Sequence, residues 1–305
     1  MEKAAAAAAL CLYSYLWDRN IPAIDTKFED IVAALPAKDE RTEILQNAAA
    51  GDKALAQSKL GGSYYTETGT QAFFFIDPMG AVTLVFRGTG RGEWTDNGMG
   101  LSGRKMENTY ECFGIRGKTL YATGQQLEAM ELTCRWAWRY GWKNIAVTGH
   151  SKGGNKAQFI ALNSDIAQRC YSFDGQGFSP EALSSFADFD TRRKRIFSIS
   201  AENDYVNVLG QRAALPQRIF FLESRQVGLS AHRMEAILRQ DGSLTPIAEQ
   251  GEFARKLERA SHRVMALPPS LRQYATTGLM DLVQDGMGIS AVGGEVQLTL
   301  RDLFS

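Results

Sequence analysis

The sequence predicts an α/β fold, in which a mostly parallel sheet is covered by helices on both faces. Short apolar runs alternate with amphipathic helical stretches between about residues 70 and 222, and such alternation is typical of parallel sheets. The chain has 305 residues, of which 44% are hydrophobic and 22% charged. It is therefore large and apolar enough to bury a core without cross-links.

Residues 1–62 are predicted to be a helical, alanine-rich segment that breaks at Pro36 and closes at Gly61-Gly62. Its first helix places three apolar side chains on one face: Leu10, Tyr13 and Trp17. The start lacks the positive lead-in and the small-residue cleavage site of an export signal. No apolar run reaches the ~20 residues of a membrane-spanning helix. We therefore expect a cytoplasmic protein without a transmembrane segment, with export by another route left open.

Residues 63–240 are predicted to be the α/β core, and residues 241–305 a mainly helical C-terminal segment. The core begins with a β-hairpin, in which apolar runs at 70–77 and 81–86 flank a Pro-Met-Gly turn. After a glycine-rich loop, a helix carries an apolar stripe: Leu120, Leu127, Met130, Cys134 and Trp138. A helix at 152–167 then lies among four strands, predicted at 144–148, 170–173, 195–200 and 218–222.

The most informative motif is the G-x-S-x-G sequence within Thr148-Gly149-His150-Ser151-Lys152-Gly153-Gly154-Asn155, between a predicted strand and a predicted helix. This context is typical of a nucleophile elbow, where the serine occupies a strained turn and small residues lie two positions before and after it. Such a turn points the hydroxyl towards the N-terminus of the next helix, whose N–H groups can hold negative charge. Ser151 is therefore the candidate nucleophile. The alternative is a glycine-rich turn with an idle serine.

A serine nucleophile needs a histidine base, which in this chain order follows the serine and the acid. His232 comes after the last predicted strand of the core and fits that order. His150 precedes Ser151 in the same turn, so we expect it to pack or form hydrogen bonds rather than act as the base. His262 lies within a predicted helix and is expected to be a surface or packing residue.

The acid has two main candidates, each directly after a predicted strand, at the sheet edge where such sites are built. We favour Asp204 over Asp174, because most enzymes with this chain order take the acid from the later strand. Glu202 is a third choice.

The oxyanion hole needs two N–H donors. One is expected from Lys152, directly after the serine, and the other from Thr89, in the loop after the second hairpin strand. Gly88 would let that loop approach closely. We expect Arg87 and Asp96 to pair and brace the loop, and the Lys152 side chain to be solvated.

Composition narrows the classes of partner and cofactor. Lys and Arg together number 34, as do Asp and Glu, so no net charge attracts the chain to nucleic acid. The basic run at 192–195 is expected to be a solvated loop, with transient contact to lipid head groups as the alternative.

Four cysteines without a CxxC pair predict buried thiols in a reducing compartment. Without an HExxH motif or a thiolate cluster, neither a metal nor a cofactor is expected.

Four segments, LVFRGTGRGEWTDN, VTGHSKGGN, ENDYVNVLG and SAHRME, resemble in order the oxyanion, nucleophile, acid and histidine segments of class 3 (fungal-type) lipases. The sequence is more similar still to a bacterial lipase-like family that carries GHSKGGN and a following FDG-G-F segment. The resemblance covers roughly residues 60 to 240 and implies an α/β-hydrolase fold. It implies one role each for four residues: nucleophile Ser151, acid Asp204, base His232 and oxyanion donor Thr89. The sequence departs from class 3 lipases at Lys152, where an apolar residue is usual, and at Asp174-Gly175-Gln176, where they have Gly-x-Pro.

The predicted function is that of a serine esterase, which cleaves a small-molecule or lipid-like acyl ester through an acyl-enzyme. Two alternatives stay open: a thioesterase or amidase with the same residues, and a non-catalytic interaction protein on a hydrolase scaffold. The sequence does not indicate acyl length or oligomeric state.

Overall fold

The structure is a computed structural model that describes residues 2–16, 21–36, 39–66, 69–88, 94–107 and 119–286. Its helices are α1 (Glu2–Tyr13), α2 (Phe28–Ala33), α3 (Glu40–Gly51), α4 (Lys53–Gln57), α5 (Trp94–Ser102), α6 (Gly124–Tyr140), α7 (Lys152–Asn163), α8 (Pro180–Ser185), α9 (Phe189–Arg192), α10 (Glu252–Met265) and α11 (Pro269–Gly286). Its strands are β1 (Lys59–Tyr65), β2 (Gln71–Ile76), β3 (Val82–Phe86), β4 (Met106–Glu107), β5 (Thr119–Leu120), β6 (Ile145–His150), β7 (Ala167–Phe173), β8 (Ile196–Ala201), β9 (Ile219–Leu222) and β10 (Ile247–Ala248).

Eight of these strands form one sheet in the order β1-β2-β3-β6-β7-β8-β9-β10. Strands β3, β6, β7, β8 and β9 run parallel, while β1, β2 and β10 pair in antiparallel fashion at the two edges. Helix α6 connects β3 to β6, and α7 connects β6 to β7. The predicted α/β class, with its mostly parallel sheet, is confirmed.

Two hydrophobic clusters cover the two faces of the sheet. Strand β2 contributes to both, because successive side chains of a strand point to opposite faces. Phe73 and Phe75 pack with α1, α2 and α3, and the ring of Tyr13 meets both of them edge-on. Phe74 packs on the other face against α6, with Trp136 4.9 Å from it between ring centroids. Helices therefore lie on both faces of the sheet, as the sequence predicts.

Three elements differ from the sequence predictions. Gly61 and Gly62 do not close a helix but lie within β1. A side chain at either position would collide with the ring of Phe74 on the neighbouring strand, so the strand needs glycine there. Trp138 is 90% exposed, so it does not belong to the buried stripe of α6. The short strand β10 lies in the segment predicted to be mainly helical. The division of the chain at residues 62 and 240 stays a prediction.

The cysteines only partly match the prediction of free thiols. Cys11 and Cys170 are buried thiols, whereas Cys134 is disulfide-bonded, and Cys112 lies outside the described residues. Among the described residues, no helix has the length and apolar character needed to cross a membrane.

The basic run at 192–195 is not a freely solvated loop. Three of its guanidinium groups donate to backbone carbonyls of neighbouring elements: Arg192 to Leu162, Arg193 to Ala214 and Arg195 to Ser164. These hydrogen bonds connect the basic run to the end of α7, to the segment between α7 and β7, and to the loop before β9. The main role of the three arginines in the fold is therefore structural.

Candidate active site

The candidate nucleophile lies on a sharp turn between β6 and α7. Ser151 has φ 58° and ψ −126°, a backbone conformation that non-glycine residues adopt only when the surrounding structure enforces it. A Cβ atom on Gly153 would overlap the carbonyl of Phe86, and one on Gly149 would overlap the backbone of Gly153. The two glycines therefore let the strand, the turn and the helix approach closely enough to impose this conformation.

His232 contacts both of the residues that the sequence predicts as its partners. Its Nε2 atom lies 2.9 Å from Ser151 Oγ, and its Nδ1 atom lies 2.6 Å from Asp204 Oδ1. The carboxylate can only accept, so the imidazole proton belongs on Nδ1, and Nε2 is left to accept from the serine hydroxyl. Ser151, His232 and Asp204 thus form one continuous chain of hydrogen bonds.

The structure separates the candidate acids. Asp204 is fully buried, and its Oδ2 atom accepts from the N–H groups of Val206 and Asn207, at 3.0 and 2.6 Å. Together with His232, three donors therefore surround this carboxylate. Glu202 instead accepts from the N–H of Ser224, at 3.4 Å.

Asp174 lies after β7 but does not contact Ser151 or His232 through a hydrogen bond. Its Oδ1 atom accepts from the N–H of Ala201, at 2.8 Å, and its Oδ2 atom faces His150 Nε2 at 3.5 Å. Complete burial raises the pKa of Asp174 well above its usual range, and the nearby charge of Asp204 raises it further. The Asp174 carboxyl therefore favours its protonated, neutral form more than an exposed aspartate does.

His150 is buried beside the site, as a packing and hydrogen-bonding residue. Its ring lies 4.7 Å from the ring of His232 between centroids, and its Nδ1 atom lies 2.6 Å from the hydroxyl of Tyr15. Burial, with a smaller contribution from His232, lowers the pKa of His150 well below its usual range, so the ring is neutral. The contact with Tyr15, which follows α1, was not predicted, because no local pattern links residues 135 positions apart.

The first residue of α7 differs from its prediction. The Lys152 side chain is 1% exposed, and its Nζ atom lies 2.6 Å from Asp96 Oδ2 on α5. Burial tends to raise the pKa of Asp96, but the charge of Lys152 and the hydrogen bonds to the carboxylate outweigh it and leave the pKa lowered. The expected pair of Arg87 and Asp96 is therefore wrong. Arg87 donates to Gln71 Oε1 at 2.6 Å instead.

The oxyanion donors are described only in part. Lys152 begins α7, and the N–H groups of a helix's first turn have no partner within the helix. Thr89 lies outside the described residues. Its neighbour Gly88 is described, and a Cβ atom at that position would lie 3.2 Å from Ser151 Cβ. The described start of this loop, at Gly88, therefore lies directly beside the serine.

Asn155, the last residue of the GHSKGGN segment, fixes α7 to the loop after β7. Its Nδ2 atom donates to the carbonyls of Gln176 and Gly177, at 3.2 and 3.1 Å, and its Oδ1 atom accepts from Gln126 at 2.7 Å. These partners hold the helix in place one turn after Ser151.

Among the described residues, three side chains lie close enough to bind one metal ion together: His150, Asp174 and His232. Each offers one ligand atom, and the three atoms lie within 4.8 Å of one another. Both ring nitrogens of His232 already lie within hydrogen-bond distance of Ser151 and Asp204. A metal ion bound there would have to displace one of those two contacts.

Residues 123–274 match the family model described as Mbeg1-like. The matched range contains Ser151, Asp204 and His232, and the sheet around them is mostly parallel. The chain has a fold of the α/β-hydrolase type and is similar to this family over about half of its length. No curated protein sequence matches it.

Two solved structures similar to this chain are lipases. One is a fungal lipase in complex with an inhibitor, 15% identical, with a TM-score of 0.42, covering 73% of this chain and 77% of its own. The other is a triacylglycerol lipase from Penicillium expansum, 9% identical, with a TM-score of 0.35, covering 83% of this chain and 91% of its own.

The buried ion pair between Lys152 and Asp96 predicts a large loss of stability when one partner is removed. Asp96→Asn leaves the lysine charge buried and should lower the free energy of unfolding by about 3–5 kcal/mol. The double variant Asp96→Leu/Lys152→Met removes both charges and should be more stable than Asp96→Asn or Lys152→Met, each of which leaves one charge buried. Urea unfolding at pH 7 measures all four proteins.

The same pair predicts a pH dependence with a definite sign. A lowered pKa stabilises the fold above the unfolded-state pKa of about 3.9, and this contribution is lost as the pH falls through the folded-state pKa. The difference between the wild type and Asp96→Asn should therefore be constant from pH 6 to 8 and shrink below about pH 4. A difference that grows on acidification would contradict this assignment.

Proposed function

We propose that this protein is a serine hydrolase that cleaves a carboxylic ester through an acyl-enzyme. The observation that carries the proposal is the continuous hydrogen-bonded chain from Ser151 Oγ through His232 to Asp204. The positive φ angle of Ser151 supports it, because this strained turn after a strand is what presents a nucleophilic serine in the α/β-hydrolase fold.

Each residue of the chain has one role in the proposed reaction. Ser151 Oγ attacks the ester carbonyl carbon while His232 Nε2 takes the serine proton, and Asp204 holds the imidazole and stabilises its charged form. The oxyanion accepts hydrogen bonds from the N–H groups of Lys152 and, by our proposal, Thr89. His232 returns the proton to the leaving alcohol. Water then attacks the acyl-enzyme with His232 as base and releases the acid and free serine.

The surroundings of the serine favour an uncharged, acyl-chain ester. Asp96 neutralises Lys152, so this lysine does not present a free cation for an anionic substrate. The aromatic ring of Tyr205 lies 5.3 Å from the ring of His232 between centroids, so aromatic surface packs beside the proposed base. Apolar surface of this kind gains free energy from each acyl carbon that it buries.

Ser151→Ala should lower the kcat of ester hydrolysis by ~10⁴ or more, because the attacking oxygen is removed while the fold is kept. The variant should also lose stoichiometric labelling by a fluorophosphonate probe, with the wild-type label mapped to Ser151 by peptide mass spectrometry. Ser184→Ala, at an exposed serine of α8, is the matched control. Labelling that maps to another serine, or full turnover by Ser151→Ala, would contradict the proposal.

For p-nitrophenyl esters, kcat/KM should rise with acyl length over the first few carbons. The increase should reach about fourfold per CH₂ if the ~0.8 kcal/mol for burying each CH₂ is fully realised in the transition state. Matched thioester and amide substrates should be turned over more slowly than the ester. A flat length profile would contradict the proposed acyl-chain specificity. Faster cleavage of the thioester or the amide would contradict the ester as substrate class, but not the serine mechanism.

A further inference from the structure

We propose that Tyr15 is a positioning residue of this active site, one that holds the loop after β3 against the turn that carries Ser151. The inference rests on the proposed function and adds to it a residue from the N-terminal helical segment, far from the serine, acid and histidine segments in sequence.

The hydroxyl of Tyr15 contacts both parts of the site. It lies 2.6 Å from His150 Nδ1, directly before the serine, and it packs closely against Gly88, directly after β3. A Cβ atom on Gly88 would overlap this hydroxyl oxygen and would lie 3.2 Å from Ser151 Cβ. The guanidinium of Arg87 lies 5.7 Å from the centre of the Tyr15 ring. One phenol therefore contacts two successive loop residues and the serine turn.

The opposite side of the His150 ring faces Asp174. Its Nε2 atom and Asp174 Oδ2 face each other at 3.5 Å, and neither has a hydrogen-bond partner among the described residues. The ring packs against His232, 4.7 Å away between centroids. Contacts therefore run from Asp174 through His150 and Tyr15 to Gly88. They fix the ring against which the proposed base packs.

The pKa shifts along this line all favour the neutral form of each group, so the contacts do not depend on a charge. Burial raises the pKa of the Tyr15 phenol, which keeps its proton. Burial also lowers the pKa of His150 and raises that of Asp174. We therefore expect the effect of Tyr15 on the rate to be similar across the neutral range.

Removing only the hydroxyl tests this role, because the aromatic ring and its packing remain. An oxyanion donor assists the reaction only when it is fixed where charge develops in the transition state. Tyr15→Phe removes the hydrogen bond to His150 Nδ1 and the hydroxyl contact with Gly88, so it should lower kcat for a p-nitrophenyl ester by about tenfold, the size of one lost hydrogen bond. KM should change by less than about twofold, because substrate binding in the ground state does not use these contacts.

The matched control is Tyr13→Phe, two residues earlier at the end of α1. The Tyr13 ring packs against Phe28, Phe73 and Phe75 within the core, so its variant should keep the wild-type kcat. His150→Asn, which retains a polar atom near the place of Nδ1, should keep more activity than His150→Leu. Thermal unfolding of each variant separates a loss of rate from a loss of fold, and the His150 pair supplies the test if Tyr15→Phe does not fold.

The outcomes distinguish this inference from the proposed function. Equal kcat values for Tyr15→Phe and Tyr13→Phe, or a rise in KM alone, would overturn the role of Tyr15 while esterase activity remained. A wild-type protein with neither ester turnover nor fluorophosphonate labelling would overturn the proposed function and this inference with it.

Discussion

The close approach of α7 to β6 and β3 is the constraint on which the site depends. Gly149 and Gly153 remove the two side chains that would separate these elements, and Ser151 takes the positive φ angle that remains. Such a conformation costs about 1–3 kcal/mol, which the buried packing of α7 offsets. The serine hydroxyl then lies at the carboxyl edge of the sheet. Asp174 and Asp204 lie at the same edge, because they follow the ends of β7 and β8.

A second constraint is the placement of charge in a largely buried site. Three donors surround Asp204, whereas the Asp174 carboxyl has one backbone donor and a neutral histidine beside it. The site therefore concentrates negative charge at the carboxylate that contacts His232. Lys152, the buried cation directly after the serine, is balanced by Asp96. This lysine therefore adds no unpaired positive charge beside the serine, and the backbone donors at the start of α7 remain for charge that appears in the transition state.

The sequence predicts the parts of this protein that local patterns determine. Apolar runs locate β2, β3 and β6 to β9 to within a few residues, and the order of Ser151, Asp204 and His232 along the chain indicates their meeting at one sheet edge. Contacts between distant segments have no such signal. The bond of Tyr15 to His150 and the burial of Lys152 against Asp96 both depend on tertiary packing, which overrides the usual preference of lysine for solvent. The strand around Gly61-Gly62 was missed because a glycine pair normally ends an element, whereas here it makes room for Phe74.

The division of roles between the two buried acids is the central claim, and the kcat values of two isosteric variants test it most directly. Asp204→Asn should lower kcat for a p-nitrophenyl ester near pH 7 by about 10³–10⁴, because an amide cannot hold the His232 tautomer that accepts the serine proton. Asp174→Asn replaces a carboxyl whose burial already favours the neutral form and should cost far less. A larger loss in Asp174→Asn than in Asp204→Asn, or equal losses in both, would contradict the account.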